Sequence, residues 1–214
     1  LADVAFVGPT LAAELRRRAG APAAPYPETV LLSPGLATLA AFDGEMAAPG
    51  AVAIDAAGAS RALALVATDV GTWILVEVPV ELRADWHADP IDLTRPSGQV
   101  AAAAGAVTPV GRWSLSDDDL AAVTALGLAT ACADLVGVLR GAVALATSYA
   151  ADRRQYGVAV GSFQAVQHLL ADAHVASEGA YSVALHAAWA VDALAPAAAL
   201  SAASVAKAYC ARAA

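Results

Sequence analysis

The sequence predicts an α+β fold that is mostly α, with helices at both ends and a small β segment between them. Alanine, the best helix former because it loses no side-chain entropy, supplies 61 of the 214 residues. Short runs of β-type residues lie between positions 50 and 110, and apolar residues recur at helical spacing from Ser116 onward. We therefore expect N-terminal helices, a small middle β domain and a C-terminal helical bundle.

Residues 1–45 are predicted to be part of an N-terminal helical domain. Leu11 and Leu15 are spaced as on one helix face. A second group at helical spacing comprises Val30, Leu31, Leu36 and Leu39. The proline-rich stretch 21–27 separates the two groups, since proline lacks the N–H donor that a helix needs.

Residues 46–112 are predicted to form the middle β domain. Its strand-like runs are 51–54, 62–66 and 73–78. The residues Asp69-Val70-Gly71 between the last two runs predict a hairpin loop. Residues 92–96 predict a further turn, which precedes a strand-like segment over 99–110.

Residues 113–214 are predicted to form a helical bundle that is incomplete at its end. Ser116 and Asp119 resemble a capping box at the start of a long helix that ends near Ala151. The predicted apolar stripe of this helix is Leu128, Cys132, Leu135, Leu139, Val143 and Ala146.

After a polar loop over 152–162, Ser162 is expected to cap a second long helix over 163–194. Its predicted inward residues are Val166, Leu170, Ala173, Ala180, Ala184, Ala187 and Val191. A third helix is predicted from about Ala197. Small residues on more than one face of these helices, for example Ala142, Ala144 and Ala146, predict a second apolar face that docks on another subunit.

Charge and composition exclude several classes of protein. The net charge of −8, with no basic run longer than Arg16-Arg17-Arg18, argues against nucleic-acid binding. We expect no membrane span, because Asp134, Asp192 and Pro196 interrupt the most apolar stretches. Cys132 and Cys210 have no partner at metal-ligand spacing and are expected to be buried free thiols, which suits a cytoplasmic protein.

The inventory of catalytic and metal-binding motifs is thin. The sequence has no G-x-S-x-G motif, no Walker loop and no G-x-G-x-x-G fingerprint. His168 with Asp172, and His174 with Glu178, are spaced four apart and are interpreted as exposed helix pairs. We therefore predict no metal site.

The most informative segment runs from Tyr149 to Asp172. Arg153 and Arg154 precede a helix N-terminus, a combination that suits a bound phosphate. The flat side chains in this segment are Tyr156 and Phe163, and the amides are Gln155 and Gln164. This set favours a pyrophosphate-bearing nucleotide, and the alternative is an arginine that forms a salt bridge where two helices meet.

This segment resembles the signature of acyl-CoA dehydrogenases. The matching residues are Tyr149-Ala150, Arg153, Gln155-Tyr156-Gly157, Gly161, Phe163-Gln164, Gln167 and Leu170-Ala171-Asp172. Tyr156 replaces the phenylalanine of the family pattern and keeps the aromatic ring. The resemblance is strong over about 117–214 and weaker before it, where Pro25–Thr29 resembles the family's connection between N-terminal helices.

The resemblance implies an FAD cofactor and the removal of the α and β hydrogens of an acyl-CoA thioester. Arg153 and Gln155 would meet the FAD pyrophosphate, and Tyr156, Phe163 and Gln164 would contact the rest of the dinucleotide. In this family these residues reach the FAD held by a neighbouring subunit, so a subunit interface is implied with the cofactor.

Departures from the family pattern indicate a non-catalytic subunit. The early position of the catalytic glutamate corresponds to Gly127 and Leu128, neither of which is acidic. The middle domain is short and lacks the family's flavin-cradling motifs. These features resemble the small subunits of α2β2 acyl-CoA dehydrogenases that act on steroid-derived CoA thioesters, in which a partner subunit supplies the base.

Two further interpretations stay open. The chain begins at Leu1 without methionine and ends within a predicted helix, so we expect a piece of a longer protein. A homotetrameric acyl-CoA dehydrogenase with its base beyond Ala214 is therefore an alternative. A second alternative is a cofactor-free helical interaction protein.

Overall fold

A computed structural model describes residues 5–36, 38–43, 46–47, 50–80, 96–99 and 107–214. One helix, a set of short strands and three further helices follow one another along the chain, which confirms the predicted α+β fold that is mostly α. The chain divides into two units, Leu1–Val123 and Thr124–Ala214. The three domain boundaries proposed from the sequence stay predictions.

The first unit contains helix α1, Val7–Arg18, and a mixed β-sheet. The described strands are β1 Glu28–Leu32, β2 Ala41–Asp43, β3 Met46–Ala47, β4 Val52–Ala53, β5 Arg61–Ala67, β6 Trp73–Pro79, β7 Gly98–Gln99 and β8 Thr108–Pro109. Their order is β3-β2-β5-β1-β4-β7, and β6 pairs with β5 and β8. The central strands β5 and β1 therefore lie side by side and run parallel.

The helix predicted around Val30, Leu31, Leu36 and Leu39 is wrong. Glu28–Leu32 is strand β1, which pairs with β5 on one side and with β4 on the other. Thr29, Val30 and Leu31 are all fully buried, and a strand buried on both faces shows no alternation that would distinguish it from a helix. Pro25–Thr29 accordingly leads from α1 into a strand and not into a second helix.

The strands predicted over 62–66 and 73–78 are confirmed as β5 and β6, and the hairpin loop between them is confirmed. The Thr68 and Gly71 N–H groups donate to Thr72 and Thr68 carbonyls at 2.9 and 3.2 Å. The run at 51–54 forms a strand of two residues only. The predicted strand over 99–110 is described only at its ends, by β7 and β8, and the turn at 92–96 lies outside the described residues except for Pro96.

The carboxylate of Asp55 holds the start of α1. Its Oδ2 atom accepts hydrogen bonds from the N–H groups of Phe6, Val7 and Gly8 at 3.3, 2.8 and 3.3 Å. A negative charge at this end of a helix is stabilising, because the first-turn N–H groups have no acceptor within the helix. Since Asp55 follows strand β4, this contact fixes α1 to the sheet.

A buried arginine holds the other end of α1. The Arg16 guanidinium donates to both carboxylate oxygens of Glu28 at 2.7 and 2.8 Å, to Glu77 at 3.1 Å and to the Pro22 carbonyl at 3.2 Å. The Tyr26 hydroxyl donates to Glu77 at 2.5 Å. Paired carboxylates make this buried charge tolerable, and the network connects α1 with strands β1 and β6.

Helix α2, Asp117–Asp152, begins in the first unit and continues into the second. The predicted capping box is confirmed: the Asp119 N–H donates to Ser116 Oγ at 3.2 Å, and the Ser116 N–H donates to Asp119 Oδ2 at 3.0 Å. Arg18 also donates to Asp119 at 2.9 Å. The start of α2 is therefore fixed within the first unit.

The second unit continues with helices α3, Gln164–Ala193, and α4, Pro196–Ala213. Its buried core is Ala125, Ala129, Cys132, Val136, Leu139, Ala180, Ala184, Ala187, Ala199, Ala203, Ala206 and Cys210. The predicted stripe on α2 is confirmed at Cys132 and Leu139, but Ala146 is exposed. Most of these side chains are small, so each helix buries little apolar area.

Cys132 and Cys210 are free and buried, as predicted. Burial, and then the neighbouring Cys210, raises the pKa of the Cys132 thiol to about 12. The Cys132 thiol therefore stays protonated, and both buried cysteines pack as small apolar side chains.

Helix α2 is long and apolar enough, by length and composition, to cross a membrane, with a mean hydropathy of 1.9 over its most apolar window. Core helices of soluble proteins meet the same criterion, so this finding is weak evidence for a span. It differs from the expectation that Asp134 excludes such a segment.

Replacing Asp55 with alanine is expected to destabilise the first unit by about 1–2 kcal/mol, because three helix N–H groups lose their acceptor. The measurement is the free energy of unfolding from urea titration. Asp69→Ala, in the exposed hairpin loop, is the matched control and is expected to change it little. Equal effects of the two substitutions would contradict the anchoring role of Asp55.

Asp119→Asn is expected to lower the free energy of unfolding by about 1 kcal/mol at neutral pH. Partial burial raises the pKa of Asp119, but hydrogen bonds from Ser116 and Arg18 outweigh it and hold that pKa below its usual value. The contribution of this carboxylate is therefore present above its unfolded pKa and lost as the pH falls through the folded one. Urea titrations at neutral pH and below pH about 3 should show the difference from wild type disappear in acid. Asp118→Asn is the control. If Asp119→Asn stays less stable than wild type in acid, the negative charge of Asp119 is not the source of its stabilisation.

Candidate functional site

The segment between α2 and α3 is a tight β-hairpin and not an irregular loop. Strands β9, Arg154–Gln155, and β10, Val158–Ala159, pair antiparallel. The two residues between them, Tyr156 and Gly157, have φ angles of 52° and 80°. Two positive φ angles define the type I′ turn that joins two-residue hairpins, and glycine adopts this conformation without strain. The Tyr-Gly pair of the signature is therefore the turn itself.

The hairpin separates its side chains onto two faces. Gln155 lies opposite Val158, and Arg154 lies opposite Ala159. The pairing continues one residue further, since the Val160 N–H donates to the Arg153 carbonyl at 2.7 Å. Because successive side chains of a strand alternate, Arg153 and Gln155 lie on one face and Arg154 lies on the other. This alternation explains the spacing of arginine and glutamine in the signature.

Close backbone contact fixes the end of the hairpin. A Cβ atom on Gly161 would lie 2.9 Å from the carbonyl oxygen of Ala150, in the last turn of α2. Gly161 belongs to a short 3-10 turn, Val160–Ser162, and its carbonyl accepts a hydrogen bond from Gln167 Nε2 at 3.0 Å. Only glycine permits this approach without displacing α2 or the turn.

Helix α3 begins differently from the prediction. The Ser162 hydroxyl donates to the Ala159 carbonyl at 2.6 Å, so the expected cap by Ser162 is wrong. Phe163 is the N-cap residue, and its carbonyl accepts the Val166 and Gln167 N–H groups at 3.0 Å each. The first N–H groups of α3 have no acceptor in the helix and carry its positive dipole end.

The predicted site residues follow one another on this hairpin and the start of α3. Arg153, Gln155, Tyr156 and Gln164 are exposed, and Tyr156 at the tip of the turn is 95% exposed. Phe163 is 39% exposed. Among the described residues Arg153 forms no ion pair, so the alternative of a salt-bridged arginine finds no support there. The arrangement offers a cation, amides, N–H donors and aromatic surface to a ligand from outside the unit.

Gly127 and Leu128, at the early position of the base, lie on α2 and are partly buried. Whether the chain lacks a catalytic base stays a prediction. The histidine pairs lie on α3, and the described part of the chain holds no cluster of three or more metal-ligating side chains.

Sequence reasoning missed a second polar feature of this unit. Arg140 on α2 and His174 and Glu178 on α3 line an open cleft of about 470 Å³. A signal was present, because Arg140 is the only charged residue between Asp134 and Asp152.

Comparisons with known proteins agree with the fold. Residues 123–214 match the family model for the acyl-CoA dehydrogenase C-terminal domain. No curated protein matches the chain. A variant of the Tcur3481-Tcur3483 steroid ACAD has 25% identity and a TM-score of 0.64, over 86% of this chain and 52% of that chain.

Two further solved structures are similar in fold. The ChsE4-ChsE5 complex from Mycobacterium tuberculosis has 23% identity and a TM-score of 0.57, over 88% of this chain and 54% of that one. An acyl-CoA dehydrogenase complexed with FAD from Bacillus anthracis has 15% identity and a TM-score of 0.59, over 86% and 38%. The chain thus spans about half the length, or less, of the structures that it matches. Residues 123–214 thus match an acyl-CoA dehydrogenase C-terminal domain, and the described fold of the chain is similar to that of acyl-CoA dehydrogenases.

Proposed function

We propose that the chain is a subunit of an FAD-dependent acyl-CoA dehydrogenase, which removes the α and β hydrogens of an acyl-CoA thioester. The observation that carries the proposal is the hairpin, which presents Arg153 and Gln155 on one face beside the N-terminus of α3. The match of residues 123–214 to the acyl-CoA dehydrogenase C-terminal domain supports the reaction class.

The donor set of the hairpin fits a dinucleotide. The Arg153 guanidinium and the first N–H groups of α3 suit a pyrophosphate, because both favour negative charge. Gln155 and Gln164 supply amide donors and acceptors, and Tyr156 and Phe163 supply flat surface for a heterocycle. When bound, FAD accepts the hydride that leaves the substrate. The residues of this chain bind and orient the cofactor.

A partner subunit completes the proposed site. All five residues lie on the surface of their own unit, so a dinucleotide bound there needs a second wall to exclude water. We propose that a second acyl-CoA dehydrogenase subunit supplies this wall and the catalytic glutamate, in an α2β2 assembly. Similarity to a steroid ACAD and to the ChsE4-ChsE5 complex favours a steroid-derived acyl-CoA and a heteromer.

The alternative is a homotetrameric acyl-CoA dehydrogenase whose base lies outside residues 1–214. The absence of an acidic side chain at Gly127 and Leu128 is compatible with this alternative and with the non-catalytic subunit. For either one we propose a cytoplasmic location, since a reducing compartment keeps Cys132 and Cys210 as thiols. If the chain is instead a cofactor-free interaction protein, no complex that contains it should carry flavin through this chain.

Arg153→Ala is expected to weaken FAD binding by the assembled complex about tenfold or more, because a charge-assisted phosphate contact contributes roughly 1.5–3 kcal/mol. The readout is flavin absorbance per complex, together with the dissociation constant of FAD for the stripped complex. Arg154→Ala is the matched control, because Arg154 is also exposed but lies on the opposite face of the hairpin.

If Arg154→Ala loses FAD while Arg153→Ala retains it, the face of the hairpin that carries Arg154 binds the cofactor and the proposed assignment is reversed. Unchanged affinity in both variants would remove the hairpin from the cofactor site.

The chain alone is expected to oxidise acyl-CoA at least about 10²–10⁴-fold more slowly than the complex, because Gly127 and Leu128 supply no general base. The measurement is reduction of flavin absorbance by an acyl-CoA, with the chain alone and after addition of a base-bearing subunit. Restored turnover on mixing is the expected result. Full activity of residues 1–214 without a partner would refute the role of a non-catalytic subunit.

A further inference from the structure

Gln167 closes the first turn of α3 with two different hydrogen bonds. Its backbone N–H donates to the Phe163 carbonyl at 3.0 Å, as in any helix. Its side chain reaches further back along the chain, and Nε2 donates to the Gly161 carbonyl at 3.0 Å. Gln167 therefore connects the start of α3 with the 3-10 turn that follows the hairpin.

The side-chain bond of Gln167 is not a helix cap. The groups that lack partners at a helix N-terminus are N–H donors, so a capping side chain supplies an oxygen that accepts. Gln167 supplies a donor instead, and its acceptor lies two residues before the N-cap residue Phe163. The bond gives no N–H group of α3 a partner, and what it fixes is the position of the preceding turn.

Gly161 is held from another direction by α2. Its missing side chain permits a close approach to Ala150, whose carbonyl oxygen would lie 2.9 Å from a Cβ atom. The residue before it, Val160, donates its N–H to the Arg153 carbonyl at 2.7 Å and closes the base of the hairpin. The end of α2 and the hairpin therefore meet at these two residues, and Gln167 ties α3 to the same point.

This junction sets the distance between the two groups that would meet a pyrophosphate. Arg153 lies at the base of the hairpin, whereas the first N–H groups belong to α3. Two groups that bind one anion together are most effective when they are held in place before it arrives, since ordering them on binding costs affinity. A side chain that ties the end of the hairpin to the first turn of α3 provides this order.

We propose that Gln167 is a positioning residue for the cofactor site. Its amide holds the Gly161 carbonyl and thereby keeps Arg153 and Gln155 at a fixed distance from the first N–H groups of α3, without touching the dinucleotide. This inference rests on the proposed function, which takes the hairpin as the FAD site. Gln167 is exposed in its own unit, and its hydrogen bond gains strength where the proposed partner subunit excludes water.

The first experiment removes the donor and keeps the length of the side chain. Gln167→Met is expected to weaken FAD binding by the assembled complex about two- to tenfold, because one hydrogen bond that orders the site is lost. Ser182→Ala is the matched control, since Ser182 Oγ also donates to a backbone carbonyl of α3, that of Glu178, at 2.9 Å. It is expected to leave the dissociation constant of FAD unchanged.

A double variant separates positioning from direct contact with the cofactor. If Gln167 acts by holding Arg153 in place, Gln167→Met costs less affinity for FAD once Arg153→Ala has removed the guanidinium. Equal losses with and without the guanidinium would mean that Gln167 acts independently of Arg153, and would overturn the inference.

The second experiment restores the donor by pH. Gln167→Glu keeps the shape of the side chain, but its carboxylate only accepts at neutral pH, whereas the protonated acid donates again below pH about 4. Hydrogen exchange of the Val160 N–H in the chain without FAD is expected to be faster than in wild type at neutral pH and to match wild type in acid. Gln167→Met is expected to exchange faster at both pH values. Because no flavin is present, repulsion between the carboxylate and the cofactor cannot produce this profile.

Unchanged exchange in Gln167→Met, or a Gln167→Glu profile that does not respond to pH, would overturn the inference. Faster exchange with unchanged affinity for FAD would leave Gln167 a structural residue only, and would overturn it as well. If Arg153→Ala also leaves the affinity unchanged, the proposed function itself fails. If Arg153→Ala weakens FAD binding and Gln167→Met does not, only the positioning role of Gln167 fails.

Discussion

The contact between Gly161 and Ala150 determines where the candidate site lies. The missing side chain lets the 3-10 turn after the hairpin reach the last turn of α2, at a distance that no Cβ atom would tolerate. With this end fixed and Tyr156-Gly157 in a type I′ turn, the register of the hairpin has one solution. The faces on which Arg153, Gln155 and Arg154 lie follow from that register.

Buried or partly buried charges perform the corresponding role in the first unit. Asp55 fixes the start of α1 to the sheet through three backbone N–H groups, and Arg16 fixes its end through Glu28 and Glu77. Gly8 permits this position, because a Cβ atom there would collide with the Thr29 hydroxyl and lie 2.6 Å from the Ile54 carbonyl. Helix α1 is thus held by polar contacts at both ends, in addition to its buried residues Leu11 and Leu15.

Alanine has opposite consequences for helix formation and for packing. It favours long helices such as α2 and α3, but it contributes little area to a core, and the free energy of burial is roughly proportional to apolar area. The core of the second unit is dominated by alanine, and large side chains such as Leu145, Leu185 and Trp189 remain exposed. A bundle of this composition gains further stability when another surface covers these residues, which is consistent with the proposed partner subunit.

The sequence by itself determined the helices of the second unit, the β5–β6 hairpin, the Ser116–Asp119 capping box and the family signature. Each depends on residues close together in the chain, where periodicity and capping chemistry act locally. Only the tertiary structure decided that Glu28–Leu32 is a central strand, since pairing with β5 and β4 overrides its helical spacing. Likewise, the contacts of Asp55 with α1 join residues 47 to 49 positions apart, and no local pattern predicts them. The opposite faces of Arg153 and Arg154, and the cleft beside Arg140, were also decided by the fold, because strand register and helix packing place side chains that their spacing alone does not.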